Sequence, residues 1–575
     1  MTSAAMRPLR GTPATAAAGI TAGSAVVALL VLGAAVRLAA YLRRPALWGD
    51  EAMLALNVAQ RSLAGLTHPL DYAQIATVPF LWGERLAVTL GGVTEYSLRI
   101  VPLLAGLALL PLAWGAGRRL LGPLGAVAFV GLLATSIPLL RYSGELKPYS
   151  LDALVALGFL WYLLERRGEL RQGRGWLRLG LAGAAAIVLS LPAAFVTGAA
   201  GAALAWDALD RSLPPARRRA LLGRLALAGL AWAALFAVLY AVCYRAVASS
   251  EYMRQYWHAA FLVPSTPDLA GRIGRAWEET ALGVFALAFT GDGAVVLAVA
   301  ALGAAAFARR MGRPAALVIT GPIVAAFAAS ALGRYPVSTR TMLFTAPLLG
   351  LLVAAGLEEA AAWLAARRPW FRPRWLIGAA LVPGIVLVTG LSIRPSGGED
   401  VRTLARVLDR RAAPHDPVYV FHRATPAWTY YTTGWDSPDW NRLRWTAEIA
   451  SPGGAGFVNA PSRGARPVGE GRELTYTVGR RLHLYGVACG VQAAQWAGFT
   501  PTAPDAGWAE NEADRMRAVA RPVVWIVLAD HAHPTAHEGD VLLAAVERAG
   551  ARVILADSLE YSALYRAEFA AGSTP

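Results

Sequence analysis

The sequence predicts an all-α polytopic membrane domain of about eleven transmembrane helices followed by a C-terminal extracytoplasmic α/β domain. Three observations predict it. Of 575 residues, 56% are hydrophobic and only 16% are charged, whereas soluble domains run near 45–50% and ~25%. Apolar runs of spanning length recur between residues 15 and 392. The charge is also segregated. From Pro395 onward there are 20 acidic and 18 basic residues, which leaves 18 acidic and 36 basic in the first two thirds. The net charge of +16 therefore belongs to the hydrophobic part, mostly in its short loops. A pI near 10.3 ordinarily suggests nucleic acid. Here the positive-inside bias accounts for it, and no nucleic-acid partner is expected.

Arg7 and Arg10 precede the first apolar run, Thr15 to Ala40. That run is too long for a signal-peptide core and long enough to span. Further spans are expected near 100–116, 123–140, 150–164, 179–192, 194–206, 225–247, 281–308, 315–332, 341–363 and 375–392. The stretch 179–206 is divided at Pro192 because its flanks demand it. Arg166, Arg167, Arg171, Arg174 and Arg178 precede it; Arg211, Arg217, Arg218, Arg219 and Arg224 follow it. Both loops belong on the cytoplasmic face, and a single helix would separate them. Arg118 and Arg119, the Arg309–Arg313 loop and the Arg367–Arg374 loop fall on that face too. With the N-terminus inside, everything after Ile393 lies outside. The expected location is the plasma (inner) membrane of a bacterium, since the Ala/Arg-rich, Lys-poor usage suggests high-GC coding.

The soluble domain is set at 395–575, after a membrane domain of 1–394. It opens with an amphipathic helix near Glu399–Arg411. Strands Pro417–His422 and Val523–Leu528, a helix near Glu538–Ala549 and a strand Arg552–Ala556 then predict a small α/β sheet. Gly434–Ala520, rich in Gly, Pro, Trp and Arg, reads as irregular. Cys243 and Cys489, the two cysteines, have no spacing that implies a disulfide framework.

The outward loops Leu42–Arg99, Arg141–Pro148, Ser249–Thr280 and Gly333–Arg340 mix acids, bases, aromatics and Pro. Ionisable groups beside a membrane are costly unless used, so polar chemistry gathered on one face points to function. Asp50 and Glu51 pair two carboxylates just past the first span, suited to a general base and its partner; a helix N-cap with a following acid is the plainer alternative. Arg141, Glu145, Lys147 and Tyr149 form a second group. Lys147 is the only lysine in the chain. A compact ammonium retained among so many arginines suits a phosphate, and snorkelling to the interface is the alternative. Arg334 and Arg340 place two cations before a late span, for an anion or for lipid headgroups. Tyr72 and Gln74, within Pro69–Pro79, are placed to line a groove. Tyr252, Tyr256, Trp257 and His258 fit the headgroup belt better than a sugar-stacking site. The three histidines in Asp530–Glu538 lack a tetrahedral metal spacing and read as a polar loop. No P-loop, nucleophile elbow, zincin motif or dinucleotide fingerprint is present.

In these residues, over roughly 20–365, the chain resembles the GT-C superfamily of membrane glycosyltransferases. It is most similar to bacterial dolichyl-phosphate-mannose protein mannosyltransferase-like and aminoarabinose transferase-like proteins. The carriers are Asp50-Glu51, Pro69-Leu-Asp-Tyr-Ala-Gln74, Tyr96-Ser-Leu-Arg99, Ser143-Gly-Glu-Leu-Lys-Pro-Tyr149 and Arg334-Tyr-Pro. The resemblance implies hexosyl or pentosyl transfer from a polyprenyl-phosphate-linked sugar to a glycan, lipid or protein acceptor on the outer face. It implies Asp50 as general base, Glu51 as its partner and the Lys147 loop at the donor phosphate. Thr77-Val-Pro79 departs from the more compact Ala-Pro-Pro-type turn of related sequences. Metal use varies across the superfamily; a divalent cation is compatible with this sequence but not required by it, and no metal ligands are assigned. The C-terminal domain lies outside the resemblance. Two other classes stay open: a transporter or lipid flippase, for which no inverted repeat is visible, and an envelope assembly protein.

Overall fold

The structure is a computed structural model. It describes residues 13–249, 251–265, 268–282, 293–393, 399–432, 444–450, 456–462, 475–478, 481–486, 506–529, 538–559 and 561–570. Cys489 and the histidines of 530–537 lie outside the described residues.

The first two thirds are helical: α1 (Pro13–Leu42), α2 (Gly49–Gln60), α3 (Val78–Gly91), α4 (Ile100–Leu120), α5 (Pro123–Thr135), α6 (Tyr149–Arg171), α7 (Trp176–Leu189), α8 (Ala193–Ala208), α9 (Pro215–Leu239), α10 (Leu269–Leu282), α11 (Gly293–Met311), α12 (Arg313–Ala331), α13 (Ala346–Arg367) and α14 (Pro373–Ile393). Among the described residues, seven stretches are long and apolar enough to cross a membrane: Gly23–Leu42, Ser97–Leu120, Pro215–Ala248, Gly293–Met311, Arg313–Ala331, Leu343–Arg367 and Pro373–Leu391. Shorter apolar α5, α7 and α8, together with α6, whose last turns are charged, fall on the remaining expected spans. The expected break at Pro192 is present: Ser190 is extended, and α8 starts afresh at Ala193. Of the expected 281–308 span, α11 covers the part from Gly293, and residues 283–292 lie outside the described residues.

Ion pairs sort the loops into two sets. Arg167 pairs with Asp207 and donates to the Met311 carbonyl at 2.9 Å. Arg171 pairs with Asp210 at 2.8 Å. Arg310 pairs with Glu358 and Glu359, and Glu358 also accepts from the N–H groups of Gly122 and Gly125. The basic loops thus meet at one end of the bundle. α6 carries Arg167 and Arg171 at its C-terminus and Tyr149 at its N-terminus. At ~1.5 Å per residue that helix puts the Lys147 loop roughly 30 Å from the basic loops. Within the bundle, Arg37 of α1 is fully buried; two of its nitrogens donate to the carbonyls of Gly33, Leu133 and Ala134, bracing α1 against α5. Backbone carbonyls on two of its nitrogens partly meet the demand that intramembrane charge be paired.

The rest is α/β: α15 (Val401–Arg411), β1 (Val418–Val420), α16 (Thr425–Thr432), β2 (Arg444–Ala450), β3 (Gly456–Ser462), β4 (Thr475–Val478), β5 (Arg481–Tyr485), α17 (Ala506–Val519), β6 (Val523–Ala529), α18 (Glu538–Arg548), β7 (Ala551–Leu559) and β8 (Ser562–Phe569). One sheet runs β4-β5-β1-β6-β8-β7, with β1 parallel to both neighbours and the flanking strands antiparallel; β2 and β3 pair separately. The expectation of an irregular 434–520 is corrected here. β5 gains strand structure from docking on β1, and β4 from docking on β5, a tertiary effect that local composition does not reveal. α17 (Ala-Gly-Trp-Ala-Glu-Asn-Glu-Ala-Asp-Arg-Met-Arg-Ala-Val) is built largely of good helix formers.

α2 is apolar on nearly every face: Ala52, Leu54, Ala55, Leu56 and Val58 are all buried. A helix of this kind outside the bilayer needs cover on all sides. It finds that cover in the C-terminal domain. Leu47, Leu54, Leu66, Phe80, Leu98 and Leu146 share one continuous core with Leu404, Tyr419, Phe421, Trp428, Ile526 and Leu564.

Candidate functional site

Asp50 and Glu51 occupy the first turn of α2, where negative charge is favoured by the helix dipole. Adjacent helix residues point about 100° apart, and these two part company. Asp50 faces outward into a polar cluster. Its Oδ2 lies 3.0 Å from Lys147 Nζ and 2.9 Å from Arg340 Nη1, and its Oδ1 accepts from Gln74 Nε2 at 3.0 Å. Gln74 is bifunctional: its Oε1 accepts from Lys147 Nζ at 2.8 Å. The lysine side chain is 5% exposed, the aspartate 20% and Arg340 16%, so the cluster is open on the Asp50–Arg340 side. Burial by itself would raise the Asp50 carboxyl. The charges of Lys147 and Arg340, with the hydrogen bonds from Lys147 and Gln74, outweigh it and hold the group well below the usual carboxylate range. Burial lowers the Lys147 ammonium and Arg340 adds to this, while Asp50 opposes; the net shift is downward.

Glu51 is buried and takes a two-pronged bond from Arg99: Nε to Oε1 at 2.8 Å and Nη2 to Oε2 at 2.6 Å. Its Oε1 also accepts from the Leu146 N–H at 2.7 Å. Glu51 therefore pins the backbone immediately before Lys147. Arg99 in turn donates to the carbonyls of Pro45 and Ala46, tying the chain ahead of α2 to the start of α4.

The turn that delivers Gln74 is strained. Tyr72 and Ala73 both have left-handed backbones, with φ of 60° and 52°, at roughly 1–2 kcal/mol per residue. Local bonds hold it: Asn57 accepts from the Asp71 N–H and donates to its carbonyl, and Arg61 pairs with the Asp71 side chain at 2.9 Å. The Tyr72 ring is buried in the shared core and its hydroxyl has no hydrogen-bond partner among the described residues. Its ring thus anchors the turn, and Gln74 carries the polar contact.

Arg340 is held from two further directions. Its Nη2 donates to the Tyr256 hydroxyl, and its guanidinium lies over the Trp257 ring at 4.6 Å. Arg141 pairs with Glu145 at 2.5 Å on the rim and stacks over Tyr142. Burial raises the Glu145 carboxyl although Arg141 opposes it. Tyr149 packs edge-on against Tyr142 at 4.9 Å. Arg334 is exposed just past α12, and none of the bonds made by Asp50, Lys147 or Arg340 reaches it. Sequence reasoning did not single out Arg99 as a site residue, and it favoured the headgroup belt for Tyr256 and Trp257. Among the described residues no group of three His, Cys, Asp or Glu is placed to hold a metal ion.

No family model matches the sequence, and no curated protein matches it. Solved structures do. ArnT from Cupriavidus metallidurans in the apo state matches at 13% identity and a TM-score of 0.47, over 95% of this chain and 98% of that one. The same protein bound to undecaprenyl phosphate matches at 13% identity and 0.46, over 94% and 97%. An Archaeoglobus fulgidus oligosaccharyltransferase matches at 14% identity and 0.41, over 71% of this chain. This chain spans 63% of that oligosaccharyltransferase's length. Substrate and mechanism have to be carried by the site's own geometry.

Proposed function

We propose that this protein transfers a glycosyl group from a polyprenyl-phosphate-linked sugar to an acceptor on the extracytoplasmic face of the membrane. The observation that carries the reading is the open cluster in which one carboxylate, Asp50, sits between two cations, Lys147 and Arg340. It lies at the end of the bundle away from the basic loops. Such a donor needs no soluble nucleotide, and its leaving group is a lipid phosphate held at the interface. Lys147 and Arg340 receive that phosphate and stabilise the charge that develops on it. Asp50 takes the proton of the acceptor hydroxyl. The acceptor oxygen bonds to the anomeric carbon as the bond from that carbon to the phosphate oxygen breaks, and polyprenyl phosphate departs. One displacement with one base inverts the anomeric configuration.

The electrostatics give this scheme an order. With both cations on it, Asp50 is a weak base. A phosphate that engages Lys147 and Arg340 shares their charge, and the proton affinity of Asp50 rises toward that of an ordinary carboxylate. The base is strengthened by the donor. Glu51, saturated by Arg99 and the Leu146 N–H, acts as a positioning residue in this reading.

The test is native mass spectrometry of the wild type and Lys147→Ala with added polyprenyl phosphate. Retention by the wild type and loss in the variant supports the donor site. Absence of binding in both overturns it and moves weight to a transporter or assembly role.

A further inference from the structure

The first helix of the site is capped from the far end of the chain. Trp48, the residue before α2, makes no side-chain cap, so the leading N–H groups of the helix need another acceptor. The Gly49 N–H donates to Glu399 Oε2 at 2.9 Å, and that contact is buried. A Cβ on Gly49 would stand in ordinary van der Waals contact with Glu399 Oε2 at 3.6 Å and the Arg423 carbonyl oxygen at 3.7 Å. Two residues upstream, the Leu47 N–H donates to the Tyr431 hydroxyl at 2.7 Å, and that hydroxyl donates to Glu95 at 3.1 Å. Glu95 also receives Arg44 and Arg402, and Arg402 donates to the Arg44 carbonyl. Each backbone N–H just before Asp50 that the C-terminal domain reaches is thus taken by one of its side chains.

We propose that Glu399 is a positioning residue for Asp50, so that the C-terminal domain sets the register of the carboxylate against Lys147 and Arg340. A capping carboxylate fixes the first turn of a helix, and Asp50 is in that turn. The functional weight of the inference rests on Asp50 being the reacting carboxylate. The geometric claim is tested without donor or acceptor, so the two fail separately.

Because Lys147 is the only lysine, its reactivity can be read alone. The full-length protein in detergent is treated with a small amine-reactive acylating agent, and peptide mass spectrometry follows Lys147 with the N-terminal amine as internal reference. Asp50→Asn sets the scale: loss of the paired carboxylate accelerates Lys147 acylation about tenfold, equivalent to one unit of pKa. Glu399→Ala is expected to match it. Glu399→Gln, whose amide oxygen still accepts from Gly49, is expected to stay near wild type. Arg402→Ala loosens the same interface away from Gly49 and is expected to leave the rate unchanged. If Glu399→Ala does not purify folded, Glu399→Asp, one methylene short of Gly49, carries the test with the same two outcomes. Wild-type reactivity in the Glu399 variant while Asp50→Asn accelerates overturns the proposal. So does equal acceleration in Arg402→Ala, which would reduce Glu399 to one docking contact among several.

Discussion

Asp50 and Glu51 are neighbours in the chain and are held by separate sets of cations: Asp50 by Lys147 and Arg340, Glu51 by Arg99. The first pair of contacts is partly open, the second is sealed. The two carboxylates should therefore fail differently when altered. Asp50→Asn is expected to keep the fold and polyprenyl-phosphate binding while turnover falls at least about a hundredfold, the typical contribution of a general base. Lys147→Ala is expected to lose binding as well. Binding and single-turnover measurements on the two variants separate these outcomes.

The lowered Asp50 carboxyl has a pH signature. Its folded value lies below its unfolded one, so its stabilising contribution is complete above the ordinary carboxylate range, near pH 4, and is lost as pH falls through the folded value. Thermal unfolding of the wild type should weaken more steeply below about pH 4 than that of Asp50→Asn. Parallel slopes would mean that the ion pairs with Lys147 and Arg340 do not persist in solution.

Glu51→Ala leaves the Arg99 guanidinium buried without its partner. Breaking a buried pair this way costs about 3–5 kcal/mol, and expression or thermal stability should fall accordingly. The double variant Glu51→Met with Arg99→Met removes both charges and is expected to recover much of the stability. It is not expected to restore turnover, because the Leu146 N–H loses its acceptor and the Lys147 loop its anchor.

Arg340 bonds Asp50, bonds Tyr256 and lies over Trp257 at once. A lysine cannot satisfy all three. Arg340→Lys should weaken polyprenyl-phosphate binding about tenfold, or ~1.4 kcal/mol. Arg334→Ala, outside the cluster, should change it by less than about twofold. Lipid titration followed by native mass spectrometry reads both.

Glu84 of α3 is fully buried and neither carboxyl oxygen has a hydrogen-bond partner among the described residues. Burial raises this group well above the usual range. Above about pH 4.5 the unfolded chain ionises while the folded one stays protonated, so stability falls as pH rises through that window. Glu84→Leu should raise thermal stability by about 1–3 kcal/mol near neutral pH and flatten the slope. An unchanged melting temperature would mean that Glu84 has partners in solution.

The membrane half of the fold was legible because two independent signals agreed. Apolar length located the helices, and arginine-rich loops fixed which ends they share, even at the Pro192 break. The site was legible where residue chemistry was unusual for its place, as with the lone Lys147 and the acids after α1. Arg99 was noted as part of the Tyr96–Arg99 motif, but its role was hidden because a cation at a helix start looks interfacial until its carboxylate is seen. Tyr256 and Trp257 were hidden because an aromatic belt and a guanidinium cradle share the same composition. The partner of α2 was hinted at by its all-round apolar surface. Glu399 left no local trace, since a bond between residues 49 and 399 is created only by the packing of the C-terminal domain.

The core shared by Leu54, Leu146 and Trp428 also imposes a timetable. The segment after α1 is made about 350 residues ahead of the side chains that cap it. Until residues beyond 399 have reached the same side of the membrane, α2 is an unsheltered oily rod and Asp50 has no fixed address. If Glu399 positions Asp50, completion of the site waits on the docking of the C-terminal domain. Separately expressed halves delivered to that compartment should be able to find one another.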